Sequence, residues 1–203
     1  MTKHYSRLIL FITFVLVVFA FTTGPERADA QEQEKFRNVY RARIIDMSNR
    51  QSGLAGSAEF IVTRWTNAAE RQVLLQTLAE KGHDEFIKVL RTREETGFFR
   101  PQTTQSTGYP STRFRYAYQF DKEDGSKQIT IVTDRTISMR EVGDSVNYNV
   151  TLIMMDFPAN SDEGTGTMYW ALKLGWDKEK DKLKMTRGDG SEGLRLTKVQ
   201  LVK

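Results

Sequence analysis

Apolar positions recur at two different spacings along this chain, and the change between them divides it into elements. Val39–Met47 and Ala58–Trp65 read as strands. Between them Ser48–Gly56 carries Asn49, Gly53 and Gly56, residues that favour turns. In the second strand Ala58, Phe60 and Val62 share one face, while Ile61 and Trp65 occupy the other. Neither face is polar, so coverage on both sides is expected. The spacing then becomes helical. Asn67 followed by Glu70 forms a capping-box pair, and Val73, Leu74, Leu75 and Leu78 recur until Gly82 supplies a stop. Asp84 is placed to cap a second helix with Phe86, Ile87 and Leu90 on one stripe. The pair spans about 67–95.

From Gly97 onward the period is two. Phe98 and Phe99 precede Pro101 and a Thr/Ser/Gly-rich loop, Gln102–Ser111. In Thr112–Asp121 the residues Phe114, Tyr116, Tyr118 and Phe120 alternate with polar ones and are expected on one face. Asp124-Gly125 marks a hairpin turn before Lys127–Thr133. Val146–Asp156 places Val150, Leu152 and Met154 together, and Thr165–Trp176 does so for Met168, Trp170, Leu172, Leu174 and Trp176. Leu183–Thr186 follows a charged turn. In Leu194–Val202 the apolar phase shifts from Leu194 and Leu196 to Val199 and Leu201, which predicts a β-bulge near Thr197-Lys198. The expected fold is therefore α+β and mainly β: an antiparallel curved sheet, half-closed barrel or sandwich with the helical pair packed on it. One domain covers residues 38–203.

The N-terminus follows a different logic. Lys3 and Arg7 precede Leu8–Phe21, a run of 14 residues interrupted only by Thr13, and Ala28-Asp29-Ala30 offers a small-x-small cleavage site. Residues 1–30 thus read as a signal peptide, cleaved after Ala30, with 31–37 as a frayed leader. The run falls short of the ~20 apolar residues of a membrane span, although retention as an anchor is the alternative. The mature chain is expected to be periplasmic or extracellular.

Composition narrows the chemistry. The chain has 203 residues, 30 basic and 26 acidic, with no cysteine and two histidines. Residues 1–30 hold three of the basic and two of the acidic groups, so +4 becomes +3 in the mature chain. Disulfides, thiolate chemistry and a multi-histidine metal centre are excluded, and no cofactor is implied. Interspersed charge argues against nucleic acid as a partner. His83, in the turn between the helices, is expected to be solvated. Asp156 at a strand end is a candidate acid or base if desolvated. Tyr116, Tyr118, Tyr148 and Trp170 are the candidate lining of an amphipathic ligand cavity, and Arg64 with Trp65 a candidate contact with a protein partner. Asp134 and Arg135, adjacent in a strand, should point apart. Arg187-Gly188-Asp189 and the sequon Asn149-Val150-Thr151 are discounted as a chance tripeptide and a mid-strand sequence.

Several segments carry a resemblance. Phe60–Thr66 (Phe-Ile-Val-Thr-Arg-Trp-Thr), Glu70-Arg71, Lys81-Gly82, Arg115-Tyr116-Ala117 and Thr133-Asp134-Arg135 with Ile137-Ser138 resemble a group of exported bacterial proteins without an assigned activity. The chain departs from that pattern at Thr136, where the group has proline, and at Met139-Arg140, where it often has an aromatic pair. The resemblance implies a bacterial source and export, and carries over no functional residue. The function expected is a non-enzymatic exported binding or envelope-associated protein, taking a small amphipathic ligand or an envelope protein. A structural or interaction module with a filled core is the alternative, and a carboxylate-based hydrolase the third reading.

Overall fold

Period-two alternation builds ten antiparallel strands, described in a computed structural model over residues 37–46, 55–102, 111–135, 148–187 and 193–202. The strands are β1 (Asn38–Asp46), β2 (Ala55–Val62), β3 (Gly97–Gln102), β4 (Thr112–Phe114), β5 (Tyr116–Asp121), β6 (Lys127–Thr133), β7 (Val150–Phe157), β8 (Glu163–Asp177), β9 (Lys182–Arg187) and β10 (Leu194–Val202). Two helices, α1 (Ala68–Lys81) and α2 (His83–Arg91), lie between β2 and β3. Residues 1–36, 47–54, 103–110, 136–147, 188–192 and 203 lie outside the described residues. With them go Ile137-Ser138, Thr136, Met139-Arg140 and Gly188-Asp189.

Sheet order is β4-β3-β2-β1-β10-β8-β7-β6-β5, with β9 added to β8. The two ends of that order are one residue apart. Phe114 pairs with Gly97 of β3, and Tyr116 pairs with Val132 of β6, so a single strand bent at Arg115 passes the sheet from one neighbour to the other. This bend nearly closes the sheet into a barrel.

Inside, eighteen buried apolar residues from every strand but β9 form one cluster, including Phe60, Phe99, Phe114, Ile153, Met155 and Met168. Interiors of this kind pack at the density of organic crystals. Gly97 shows how tightly: a Cβ there would lie 2.0 Å from the Ile61 carbonyl oxygen and 2.7 Å from the Phe114 ring. Outside, Leu74 and Leu78 of α1 and Phe86, Ile87 and Leu90 of α2 cover Val132, Val150, Leu152, Leu172 and Leu174. Strand β7 is therefore apolar on both faces. Strand β2 is also buried on both faces, as its sequence predicts.

Local signals hold at the helix ends. Asn67 accepts from the Glu70 N–H at 2.9 Å, and the Asn67 N–H donates to Glu70 Oε2 at 3.0 Å. Gly82 (φ 81°) ends α1 and serves as N-cap of α2, so Asp84 sits in the first turn of α2 rather than capping it. Val73 points outward, 43% exposed, while Leu74, Thr77 and Leu78 are the buried residues of α1. The β10 bulge falls where expected. Leu196 pairs with Gly166 and Val199 with Gly164, and Lys198 adopts φ 50°.

Two phase changes differ from the alternation read in sequence. At the Arg115 bend the strand rotates, so Phe114 and Ala117 enter the barrel while Tyr116 packs on the helix side and Phe120 is 53% exposed. In β8 an extra residue at Ala171 (φ 50°) leaves Trp170 and Ala171 opposite Thr151 alone. Met168 and Trp170 consequently face the interior, and Leu172 and Leu174 face the helices. In both strands the inserted or bent position is flanked by apolar residues, so its displacement leaves no gap in the hydrophobic pattern.

Candidate functional site: the polar junction that closes the barrel

Where β2 ends, the chain bends away from the sheet because its next partner is a loop. Thr63 N–H donates to the Thr96 carbonyl at 2.9 Å, and Thr96 N–H to the Phe114 carbonyl at 2.9 Å. Thr66 then takes the first outward rung of β5. Its N–H reaches the Ala117 carbonyl at 2.7 Å, and its Oγ1 accepts the Ala117 N–H at 3.0 Å. A threonine thus fills, with backbone and hydroxyl together, positions a neighbouring strand would occupy.

Charge surrounds this junction. Arg64 donates to Glu70 Oε2 at 2.8 Å and to the Glu94 carbonyl at 3.2 Å, with the Glu94 carboxylate 3.3 Å from its Nε. Arg115 donates to the Arg93 carbonyl at 2.5 Å, and Arg113 to Glu95 at 2.5 Å. The Arg64 guanidinium, opposed by desolvation and helped by the Asn67 N–H, holds Glu70 below the ordinary carboxylate range. One residue on, Arg71 lies over the Tyr118 ring, 4.9 Å from its centroid, and Tyr118 stacks with Tyr116 at 6.4 Å. Burial raises the Tyr116 phenol above its usual pKa against the field of Arg71.

Of the residues singled out from sequence, Arg64, Tyr116 and Tyr118 meet around the first turn of α1. The tyrosines lie on the outer face of the sheet, not in the barrel. Tyr148 is half-buried ahead of β7, and Trp170 packs half-buried against the interior cluster, as does Trp65. Asp156 is on the outer face at the far end of β7, where its Oδ1 accepts from Gln128 at 2.8 Å and lies 3.9 Å from Lys122 Nζ. Its side chain is 49% exposed.

His83 departs most from expectation. It is 5% exposed, its Nδ1 accepts the Leu174 N–H at 3.0 Å, and its Nε2 faces Asn149 Oδ1 at 3.1 Å. These partners require the neutral ring with the proton on Nε2. Asn149, the acceptor of the sequon, is thereby committed to a contact within the fold. Asp134 and Arg135 also meet, at 3.7 Å, because the strand has ended and bends there; Arg91 of α2 approaches the same carboxylate at 3.4 Å.

Sequence reasoning missed Glu59. It is 5% exposed and sits directly between Arg41 of β1 and Arg100 of β3 in register, bonded to Arg41 at 2.8 Å and to Arg100. Arg100 first, and Arg41 with it, keep its carboxyl below the ordinary range. The available signal was an acid inside the apolar run Ala58–Val62, which needs a partner on each side. Among the described residues, no three His, Asp or Glu side chains are arranged to hold a metal ion. No protein family, curated protein or solved structure matches the chain.

Proposed function

We propose that this protein is an exported, non-enzymatic, envelope-associated module that works through its outer surface. One observation carries the reading: the barrel interior is occupied by its own side chains, from Tyr40 at one end through Phe60, Ile153 and Met168 to Leu194. The aromatic residues that suggested a lined cavity support it too, because Tyr116 and Tyr118 face outward toward Arg71. The polar junction serves the fold, since its arginines end on carboxylates and loop carbonyls of the same segment.

Thermal shift with a panel of apolar and amphipathic compounds tests this. The melting temperature should stay within about 1 °C of the free protein. A saturating ligand would raise it by several degrees, because about 2.7 kcal/mol of stabilisation accompanies a hundredfold excess over Kd, and such a rise overturns the reading.

A further inference from the structure

The hairpin made by the end of β8 and β9 stands apart from the barrel in both pairing and charge. Strand β8 pairs with β10 as far as Met168 and with β7 as far as Leu172. From Lys173 to Asp177 its partner is β9, which pairs with no other strand among the described residues. The root of this arm is fixed. Leu174 is buried beneath the helices and donates its N–H to His83, Leu183 packs on the same cluster, and the Arg187 guanidinium lies 4.8 Å from the Tyr169 ring centroid.

Register divides the arm into two faces. Leu174 opposes Met185 and Trp176 opposes Leu183, which puts the apolar groups together. Lys173, Lys184 and Lys182 are exposed on the other face, and the turn adds Lys178 and Lys180. Residues 173–187 hold six basic and three acidic side chains, a net +3 in fifteen positions. Two of the acids are engaged locally: Asp177 Oδ1 accepts the N–H groups of Glu179 and Lys180, and Asp181 Oδ1 accepts the Trp176 indole N–H at 3.1 Å. None of the five lysines is in an ion pair among the described residues, whereas arginines 41, 64, 91, 100, 113 and 115 all are.

We propose that this arm docks, tip first, on an anionic lipid surface. The lysines of the turn and of β9 would meet headgroup phosphates, with the half-buried Trp176 beside the turn at the level of the interface. Lysines near such a surface each contribute an attractive increment, and Trp favours the interface through its large ring and polar edge. A membrane fits better than an acidic protein, because the ammonium groups spread over a face and a convex turn instead of lining a groove. The inference rests on the outer-surface reading above and names the surface.

Vesicle co-sedimentation of the full chain tests it, comparing phosphatidylglycerol/phosphatidylcholine vesicles with pure phosphatidylcholine. The N-terminal segment, with Lys3 and Arg7 ahead of its apolar run, is common to every variant, so the deciding comparison is between variants on the same vesicles. Wild type should bind the anionic vesicles at least about tenfold more tightly, with the preference falling as salt rises. The K178Q/K180Q/K182Q/K184Q variant should lose that preference. K81Q/K88Q/K122Q/K127Q, which removes the same charge elsewhere, should keep it. The turn pair K178Q/K180Q, which leaves both strands untouched, should lose part of it and guards against misfolding of the fourfold variant. Equal losses in the two fourfold variants, retained binding in the arm variant, or indifference to lipid charge would each overturn the proposal. Capture by polyglutamate without vesicle binding would overturn it in favour of an acidic protein. A cavity ligand found by thermal shift would instead stabilise wild type and arm variant alike, which separates failure of the outer-surface reading from failure of this one.

Discussion

His83 couples the helical pair to the sheet through a ring that must stay neutral. Burial, against the Asn149 hydrogen bond and the charge of Asp84, holds its pKa below the ordinary value of 6.5, with Lys173 acting in the same direction as burial. A depressed folded-state pKa means that the unfolded chain takes up the proton first. The histidine's contribution is therefore complete above about pH 6.5 and is lost as pH falls from there through the folded value. Urea midpoints measured between pH 7 and 5 should decline in wild type and flatten in His83→Gln. Glu59 and Glu70, held below 4.5 in the fold, lose their contribution by the same linkage at the acid edge of that window and below, and His83→Gln carries that part unchanged. Gly97 supplies a second test at this scale. Its absent Cβ is required by the Ile61 carbonyl and the Phe114 ring, so Gly97→Ala should cost about 2 kcal/mol or more, read as a lowered denaturation midpoint. Neither residue announced its role in the sequence. A histidine beside Gly82 and Asp84 has the local company of a turn, and the Leu174 N–H that fixes it lies ninety-one positions away.

At the scale of elements, short-range chemistry was legible and rotation of strands was not. The Asn67–Glu70 box, the Gly82 stop and the Asp124-Gly125 turn depend on residues a few positions apart, and each forms as the sequence indicates. Asn67→Ala should accordingly cost about 1 kcal/mol, measurable by chemical denaturation. The β10 bulge was legible as well, because polar Thr197-Lys198 interrupts an apolar alternation. The bends at Arg115 and Ala171 were hidden, since aromatic or aliphatic side chains on both sides of them disguise the rotated phase. Lys198 offers a clean measure of what a bulge costs. It is exposed at φ 50°, so Lys198→Gly should stabilise the fold by about 0.5–1 kcal/mol, and Lys198→Val should destabilise it by about 1 kcal/mol or more. The candidate site followed the same division. Arg64 and the tyrosine pair do converge, but the side of the sheet on which they do so depended on the Arg115 bend.

For the whole molecule, the filled interior sets the stability. Ile153 is fully buried between strands that are themselves covered by helices, and Ile153→Ala should cost about 2–5 kcal/mol, with the larger value if the barrel cannot relax around the void. Calorimetry against wild type would read this as a fall of several degrees or more. The barrel class and the attached helices follow from counting alternating segments. Its closure does not, because it depends on one strand serving two neighbours, and sequence alternation records faces but not partners.

The position of β10 has a consequence for the order in which the chain becomes available. It lies between β1 and β8, and among the described residues no other strand joins those two. Before it arrives, β4-β3-β2-β1 and β8-β7-β6-β5 are separate half-sheets hinged at Arg115, with an open flank on β1 and another on β8. A polypeptide emerging N-terminus first therefore keeps these two flanks open until β10 (Leu194–Val202) appears. Once in place, β10 bridges the two half-sheets into the nearly closed barrel.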